Sequence, residues 1–161
     1  MNTPQIIERA LRETIREYCP GVIPAEWLHC AQDMTDLEDD DGRQRFPQVI
    51  IAAQPKTWRD AGATWDMAIT VDCVTLAYED RDASTRANMF ESIETLFDQF
   101  LFGDPQNPVQ AYFTERVEEH RKGFILGGFT PDGSGGGPLA LEGLLSMTFG
   151  GTLHFSLNTE V

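Results

Sequence analysis

The chain has 161 residues, enough for one domain with a single core, and we predict one domain over residues 1–161. Its 12 basic residues stand against 26 acidic ones, and the net charge of −14 argues against electrostatic capture of nucleic acid or of an anionic membrane. No apolar run approaches the length of a membrane span, and residues 1–10 lack the regions of a signal peptide, so we expect an intracellular protein or one assembled in a cytoplasm.

Two features of the composition have simple interpretations. The acidity favours solubility or, alternatively, provides a surface that must not adhere to a polyanion. The cysteines Cys19, Cys30 and Cys73 form neither a disulfide framework nor a paired metal-ligand spacing, so we expect small buried hydrophobic side chains.

A helix is predicted near the start of the chain. Thr3 supplies a capping hydroxyl and Pro4 occupies the first helical position, while Pro20 and Gly21 end the helix. The predicted apolar stripe consists of Ile6, Ile7, Leu11, Ile15 and Tyr18. The predicted polar side carries Glu8, Arg12, Arg16 and Glu17.

The next two segments do not have the pattern of a metal site. Residues 25–30 are predicted to be extended or to form a short turn, and the pair His29–Cys30 has no second pair at ligand spacing. The acidic run 35–42 (TDLEDDDG) fails the calcium-loop pattern, because the first ligand position falls on Leu37. We interpret this run as a solvated loop.

The middle of the chain, residues 65–101, has the clearest pattern. Before it, the proline-flanked run 46–53 predicts a buried strand, and residues 54–63 form a loop or a hairpin arm. From Trp65 the residues alternate with a period of two, which predicts a half-buried strand. The apolar phase flips at Cys73–Val74, so we predict a β-bulge there or, alternatively, a strand buried on both faces at its end.

A helical period then predicts an amphipathic helix that packs on a sheet. Its cap is Asp80, Asp82 or Ser84, and Gly103 occupies the position of a left-handed C-terminal cap. The predicted buried face carries Ala83, Ala87, Phe90, Ile93, Phe97 and Phe100, with Leu96 and Leu101 at its edges. The predicted exposed side carries Arg86, Glu91, Glu94 and Asp98.

A short helix and another strand follow. The helix starts at Asn107–Pro108 and ends near residues 120–122, and Gly123 precedes a strand over residues 124–129. Residues 131–138 (PDGSGGGP) match no phosphate-binding pattern, so we interpret them as a flexible loop.

The C-terminal residues 139–157 alternate in an unbroken phase. We therefore predict one long strand there instead of a hairpin turn at Gly150–Gly151, which would mix polar and apolar residues on each face. The complete order of elements predicts an α+β fold with a mainly antiparallel sheet and helices packed on one face.

The sequence contains no recognisable catalytic cluster. His29, His120 and His154 are scattered, and the alternation places Asp66 and Asp72 on one strand face, where we expect solvent exposure. No serine or cysteine has the context of a nucleophile. We therefore predict no enzyme, no cofactor and no metal.

The order of these segments resembles that of the tail terminator proteins of long-tailed bacteriophages. The resemblance covers a leading helix (4–18), a proline-flanked strand (46–53), the long strand WDMAITVDCVTLAY with the helix after it (83–102), and the strand FILGGFTP, which leads into a glycine-rich loop and a last alternating strand. The acidic run 35–42 and the helical stretch 109–120 are not required features of that family.

The resemblance implies a structural virion protein. In this family a hexameric ring caps the tail tube, stops tube polymerisation and offers the surface to which the filled head docks. DNA passes through the lumen without specific binding, and an acidic lumen suits this passage. The implied partners are further copies of the chain, the tail tube protein and the head–tail connector protein, in a virion assembled in the host cytoplasm.

Such a ring needs heterologous contacts between identical subunits. We expect them in the arms 54–63 and 130–138, because exposed Trp and Arg are enriched in interface anchors. The candidate contact residues are Lys56, Trp58, Arg59, Pro131, Asp132 and Gly135. Alternatively, Trp58 covers the edge of its own core.

Three other functional classes compete with this interpretation. A phage neck or head–tail connector component would have a similar fold and a different docking partner. A small-molecule-binding α+β module would need a closed apolar pocket, and a hydrolase would need a clustered site. For the terminator, we expect a weakly associated monomer in solution that becomes a ring on its tube.

Overall fold

The computed structural model describes residues 1–33, 46–60, 64–82, 84–132, 135–138 and 143–157. The predicted solvated loop 35–42, Ala83 of the predicted helix face and residues 139–142 of the predicted last strand lie outside the described residues. The described part of the chain has three α-helices and one sheet of seven strands, so the predicted α+β fold is confirmed.

The elements follow one another in nearly the predicted order. The helices are α1 (Thr3–Tyr18), α2 (Ser84–Asp98) and α3 (Pro108–Glu118). The strands are β1 (Leu28–Cys30), β2 (Gln48–Ala53), β3 (Thr57–Asp60), β4 (Thr64–Leu76), β5 (Phe124–Pro131), β6 (Gly135–Pro138) and β7 (Leu144–Leu157). Two short 3₁₀ turns, Ala25–Trp27 and Ala31–Asp33, flank β1.

The sheet consists of two long hairpins joined along their central strands. Its order is β1–β2–β4–β7–β5, with β3 continuing beside β4 and β6 continuing beside β7. Strands β1 and β2 are parallel, and the other neighbouring pairs are antiparallel. Strands β4 and β7 pair without interruption from Thr64–Ser156 to Leu76–Leu144. This pairing confirms that the last strand returns beside the central one.

All three helices pack against one face of the sheet, and an aromatic cluster fills the space between the layers. The Phe97 ring of α2 lies 4.9 Å, between centroids, from both Phe129 and Phe149. Phe113 of α3 contacts Phe124 of β5 at 5.9 Å. Burying each such ring contributes roughly 1.5–3 kcal/mol to stability. We call the other side of the sheet, which carries Asp66, Asp72, Thr148, Thr152 and His154, the open face.

Helix α1 begins one residue earlier than its predicted cap implies. Asn2, and not Thr3, is the cap: its side chain accepts a hydrogen bond from the Gln5 N–H at 2.9 Å, and the Gln5 side chain accepts one from the Asn2 N–H at 3.0 Å. The predicted stripe is buried as far as Ile15, but Tyr18 is exposed because the helix ends there.

Two charged residues that were predicted to be exposed are buried. Glu8 accepts hydrogen bonds from the backbone N–H groups of Gln32 and Ala53, both at 3.0 Å. Arg86 donates from Nε to Asp80 Oδ2 at 2.8 Å. The prediction was wrong for both because helical periodicity does not reveal a partner that is supplied by another segment.

The start of α2 agrees with prediction and its end does not. Asp80 accepts hydrogen bonds from the Thr85 N–H at 3.0 Å and the Arg86 N–H at 3.2 Å, and Asp82 accepts one from the Ser84 N–H at 3.1 Å, so two of the candidate caps are confirmed. Ala87 is exposed and Met89 is buried in its place. Gly103 does not have a positive φ, and the helix already ends at Asp98, so the predicted glycine cap is wrong.

The predicted β-bulge in β4 is also wrong. The register with β7 is regular through Cys73 and Val74, and both residues are buried together with Thr75. The Thr75 hydroxyl donates to Asp80 Oδ2 at 3.0 Å, so a polar residue is accommodated on the core side without a change of phase. The alternative prediction, a strand buried on both faces at its end, is confirmed.

The C-terminal half contains one confirmed prediction and one correction. Strand β7 is continuous, as its unbroken phase predicts. Part of the predicted flexible loop 131–138 is strand instead: β5 extends to Pro131, and β6 pairs with β7 from Gly135–Thr148 to Pro138–Leu145. Backbone pairing outweighs the poor strand propensity of three consecutive glycines there.

Candidate interaction surfaces

The first candidate surface is the β3 arm, which we define as Lys56, Trp58 and Arg59. Trp58 lies opposite Trp65 in the β3–β4 ladder, yet 66% of its surface is exposed. Lys56 Nζ lies 4.6 Å from the centroid of the Trp65 ring, which is a cation–π contact. Trp58 therefore does not close the edge of the core, and the arm presents an indole and an exposed guanidinium to solvent.

The second candidate segment, Pro131, Asp132 and Gly135, is held by backbone contacts with β7. Pro131 pairs with Gly151 in the ladder, and the Asp132 N–H donates to the Gly150 carbonyl at 2.9 Å. Gly135 begins β6. The side chains of Pro131 and Asp132 are exposed, so this segment is a sheet edge with accessible side chains.

The structure does not bring the two predicted segments together. Strand β3 lies beside β4, whereas β5 and β6 lie beyond β7, so both central strands separate the segments. Three strand spacings correspond to at least about 14 Å. The candidate contact residues therefore occupy opposite edges of one sheet.

A further surface, which the sequence analysis missed, lies on the helical layer. A groove of about 590 Å³ runs between the end of α1, the side of α2 and the start of α3. We define this helix groove by Tyr18, Val22, Glu91, Leu96 and Val109. Tyr18 and Val22 are 41% and 39% exposed. The Tyr18 hydroxyl donates to the Pro108 carbonyl at 3.3 Å, which fixes the tyrosine at one end of the groove.

One acidic side chain, that of Glu91, lines the helix groove, and two more acids follow it on α2. Glu91, Glu94 and Asp98 are spaced by three and four residues on α2, so they lie on one side of that helix. All three are exposed, and none forms an ion pair with a described side chain. The groove thus combines apolar side chains with one carboxylate, that of Glu91.

The open face carries a hydrogen-bonded chain across three strands. His154 Nδ1 lies 2.7 Å from Asp66 Oδ1, and its Nε2 lies 2.7 Å from the Thr130 hydroxyl. Nearby, the Thr148 hydroxyl donates to Asp72 Oδ1 at 2.6 Å. The alternation had placed both aspartates on one face and His154 on the polar side of β7. Only the register of β4 with β7 shows that Asp66 contacts His154 and that Asp72 contacts Thr148.

Neither a metal centre nor a membrane span is found in the part of the chain that the structure describes. Within it, no group of three or more His, Cys, Asp or Glu side chains is arranged to hold a metal ion. None of the described helices is both long enough and apolar enough to cross a bilayer.

The sequence matches no protein-family model, and a search of the curated proteins finds no match to it.

Proposed function

We propose that this chain is a structural virion subunit that caps a phage tail tube as a hexameric ring, ends tube polymerisation and forms the head-docking interface. The α+β fold and the order of its elements support this proposal, since they are what the resemblance to tail terminators implies. The observation that carries it is the position of two unlike exposed segments, the β3 arm and Pro131–Asp132, on opposite edges of one sheet.

Opposite and unlike surfaces suit a ring. A two-fold dimer needs one patch that is complementary to itself, whereas a ring joins one side of each subunit to the other side of the next. The exposed indole of Trp58 is a residue type that anchors interfaces, and it leaves the core intact because it lies outside it.

The charge of the chain agrees with passage of DNA. With a net charge of −14, a ring of these subunits repels a polyanion at every distance within the screening length. DNA then slides through the lumen and is not retained there.

Electron microscopy of the purified protein, alone and mixed with tail tube subunits, tests the proposal. Six-fold rings, and tubes of limited length that carry a distinct end cap, are the expected result. A neck or connector component would instead bind the head side without limiting tube length. Monomers that neither close rings nor change tube length contradict the proposal.

One observation favours a second candidate function, hydrolysis of an ester or amide. Thr130, His154 and Asp66 have the order hydroxyl, imidazole, carboxylate that activates a nucleophile in many hydrolases. Hydrolysis of p-nitrophenyl acetate by the wild type, Thr130→Val and His154→Gln tests it. Equal rates for all three proteins rule out this candidate, whereas saturable turnover that both substitutions abolish establishes it.

A further inference from the structure

Two residues of the β3 arm, Arg59 and Trp58, present charge and apolar surface to solvent. Arg59 is exposed and forms no ion pair with a described side chain, although the chain has more than twice as many acidic as basic residues. Trp58, beside it, is 66% exposed. An indole next to a guanidinium is complementary to an apolar recess that has a negative charge at its edge.

The helix groove is such a recess. Its apolar side chains are Tyr18, Val22, Leu96 and Val109. They lie beside the Glu91 carboxylate, which forms no ion pair with a described side chain. The volume of about 590 Å³ lies within the range of sites that enclose small-molecule ligands, so an indole fits with room for a second side chain.

The arm and the groove of one subunit cannot meet. Pro55 and Lys56 line one cavity together with Met1 and Pro4, at the start of α1, whereas the groove begins at Tyr18, at the other end of that helix. Helix α1 has 16 residues and is therefore about 24 Å long. A contact between these surfaces is necessarily a contact between two copies.

We propose that the β3 arm of one copy docks into the helix groove of a second copy, with Trp58 among the apolar side chains and Arg59 against Glu91. This inference rests on the proposed function for the closure of a ring, and it assigns the surface that receives the arm. The arm and the groove of one subunit are separate surfaces and can be occupied at the same time. Each subunit therefore binds one neighbour through its arm and another through its groove.

Charge reversal tests the pairing. Arg59→Glu and Glu91→Arg each place like charges at the contact, so each is expected to weaken self-association at least about tenfold in sedimentation velocity. An equimolar mixture of the two variants restores opposite charges at every contact of an alternating ring, and association is expected to return to the wild-type level. Arg81→Glu and Glu79→Arg, exposed residues on the loop after β4, are matched controls and leave association unchanged.

A cross-linking experiment detects the contact even when association is weak. Thr57→Cys adds a thiol to the arm, and the native Cys19 lines the groove, while Cys30 and Cys73 are buried. A short bismaleimide is expected to join position 57 of one copy to Cys19 of another, shown by mass spectrometry on mixed isotopically labelled protein. The same variant with Cys19→Ser loses this link.

Several outcomes overturn the docking. They are single charge variants that associate like the wild type, a mixture that does not recover, and cross-links that join two arms or no copies at all. Failure of this inference is separable from failure of the proposed function. Rings that cap tubes, and whose association does not change in the charge variants, overturn the docking alone. Charge-dependent association without tube capping supports the docking and contradicts the terminator function.

Discussion

The Glu8 carboxylate accepts a hydrogen bond from the Ala53 backbone N–H at 3.0 Å, and this contact ties the middle of α1 to the end of β2. Glu8→Ala leaves the Ala53 and Gln32 N–H groups without their acceptor in a buried position. We expect the free energy of unfolding to fall by about 2–3 kcal/mol, because hydrogen bonds to a charged group and unsatisfied buried donors have that magnitude. Urea denaturation measures it. Glu13→Ala, on the more exposed side of α1, is the control and changes stability little.

The buried pair of Asp80 and Arg86 gives a larger effect. Asp80→Ala removes the acceptor of the Arg86 guanidinium and of the Thr75 hydroxyl, and leaves a buried charge unpaired. The expected loss is about 3–5 kcal/mol. Adding Arg86→Met to Asp80→Ala is expected to recover part of it. A loss no greater than that of Asp82→Ala, at the exposed cap, contradicts the assignment.

The same Asp80 carboxylate makes the free energy of unfolding depend on pH in the acidic range. Burial alone raises the pKa of Asp80, but hydrogen bonds from Arg86, Thr85 and Thr75 outweigh it and hold the pKa below the ordinary value of 3.8. The unfolded chain therefore binds this proton more readily than the folded one. The contribution of Asp80 is complete above the ordinary pKa and is lost as the pH falls through the folded-state pKa. Acid titration of unfolding is expected to be shallower in Asp80→Ala than in the wild type.

Two adjacent glycines of β7 provide a matched pair of substitutions. A Cβ on Gly151 would overlap the Phe129 ring and lie 2.6 Å from the Thr130 carbonyl oxygen, whereas a Cβ on Gly150 would lie 3.6 Å from the nearest atom. We expect Gly151→Ala to lower the melting temperature by several degrees, since overpacking costs about 1–3 kcal/mol. Gly150→Ala is expected to be tolerated. Equal melting temperatures of the two variants would show that both the Phe129 ring and the Thr130 backbone shift to accept the methyl group.

Thiol reactivity reports on the interior of the sheet. Burial raises the pKa of Cys30 to about 11 and that of Cys73 to about 12, and burial also raises the pKa of Cys19, which is only half-buried. At pH 8 a thiol-specific reagent such as DTNB is expected to modify only Cys19 in the folded protein and all three cysteines in urea. Fast modification of a second cysteine in the folded state would indicate that the sheet opens locally.

Trp58 gives the clearest separation of folding from assembly. Trp58→Ala is expected to leave the melting temperature within about 2 °C of the wild type, because substitutions of exposed residues rarely change stability much. Its self-association is expected to fall. Trp65→Ala is the control, since Trp65 packs against the core and its loss lowers the melting temperature. Destabilisation by several degrees in Trp58→Ala would assign this residue to the core.

Much of the fold follows from local patterns. The unbroken phase of β7 predicts a single strand even across Gly150–Gly151. The helical layer covers one face of this strand, so the fold is stabilised when all apolar side chains lie on that face. The buried residues Ile93, Phe97 and Phe100 follow equally from helical spacing. These predictions succeed because a packed face imposes its period on the sequence.

Several failures arise from contacts that a helical or strand period does not contain. Glu8 is buried because a segment 45 residues away supplies its partner, and Arg86 is buried because Asp80, in the loop before the helix, binds it. The helix groove requires the relative positions of three helices. The open-face chain from Asp66 to Thr130 requires the register of β4 with β7, which the alternation does not fix.

The two-hairpin sheet has a consequence for how the protein folds as it is synthesised. Each hairpin pairs segments that are close in sequence, but the pairing that joins them brings together residues as far apart as Thr64 and Ser156. Closing so long a loop is slow compared with forming a hairpin. Until β7 emerges from the ribosome, β4 therefore presents a long unpaired edge, and nascent chains on neighbouring ribosomes are most prone to aggregate during that interval.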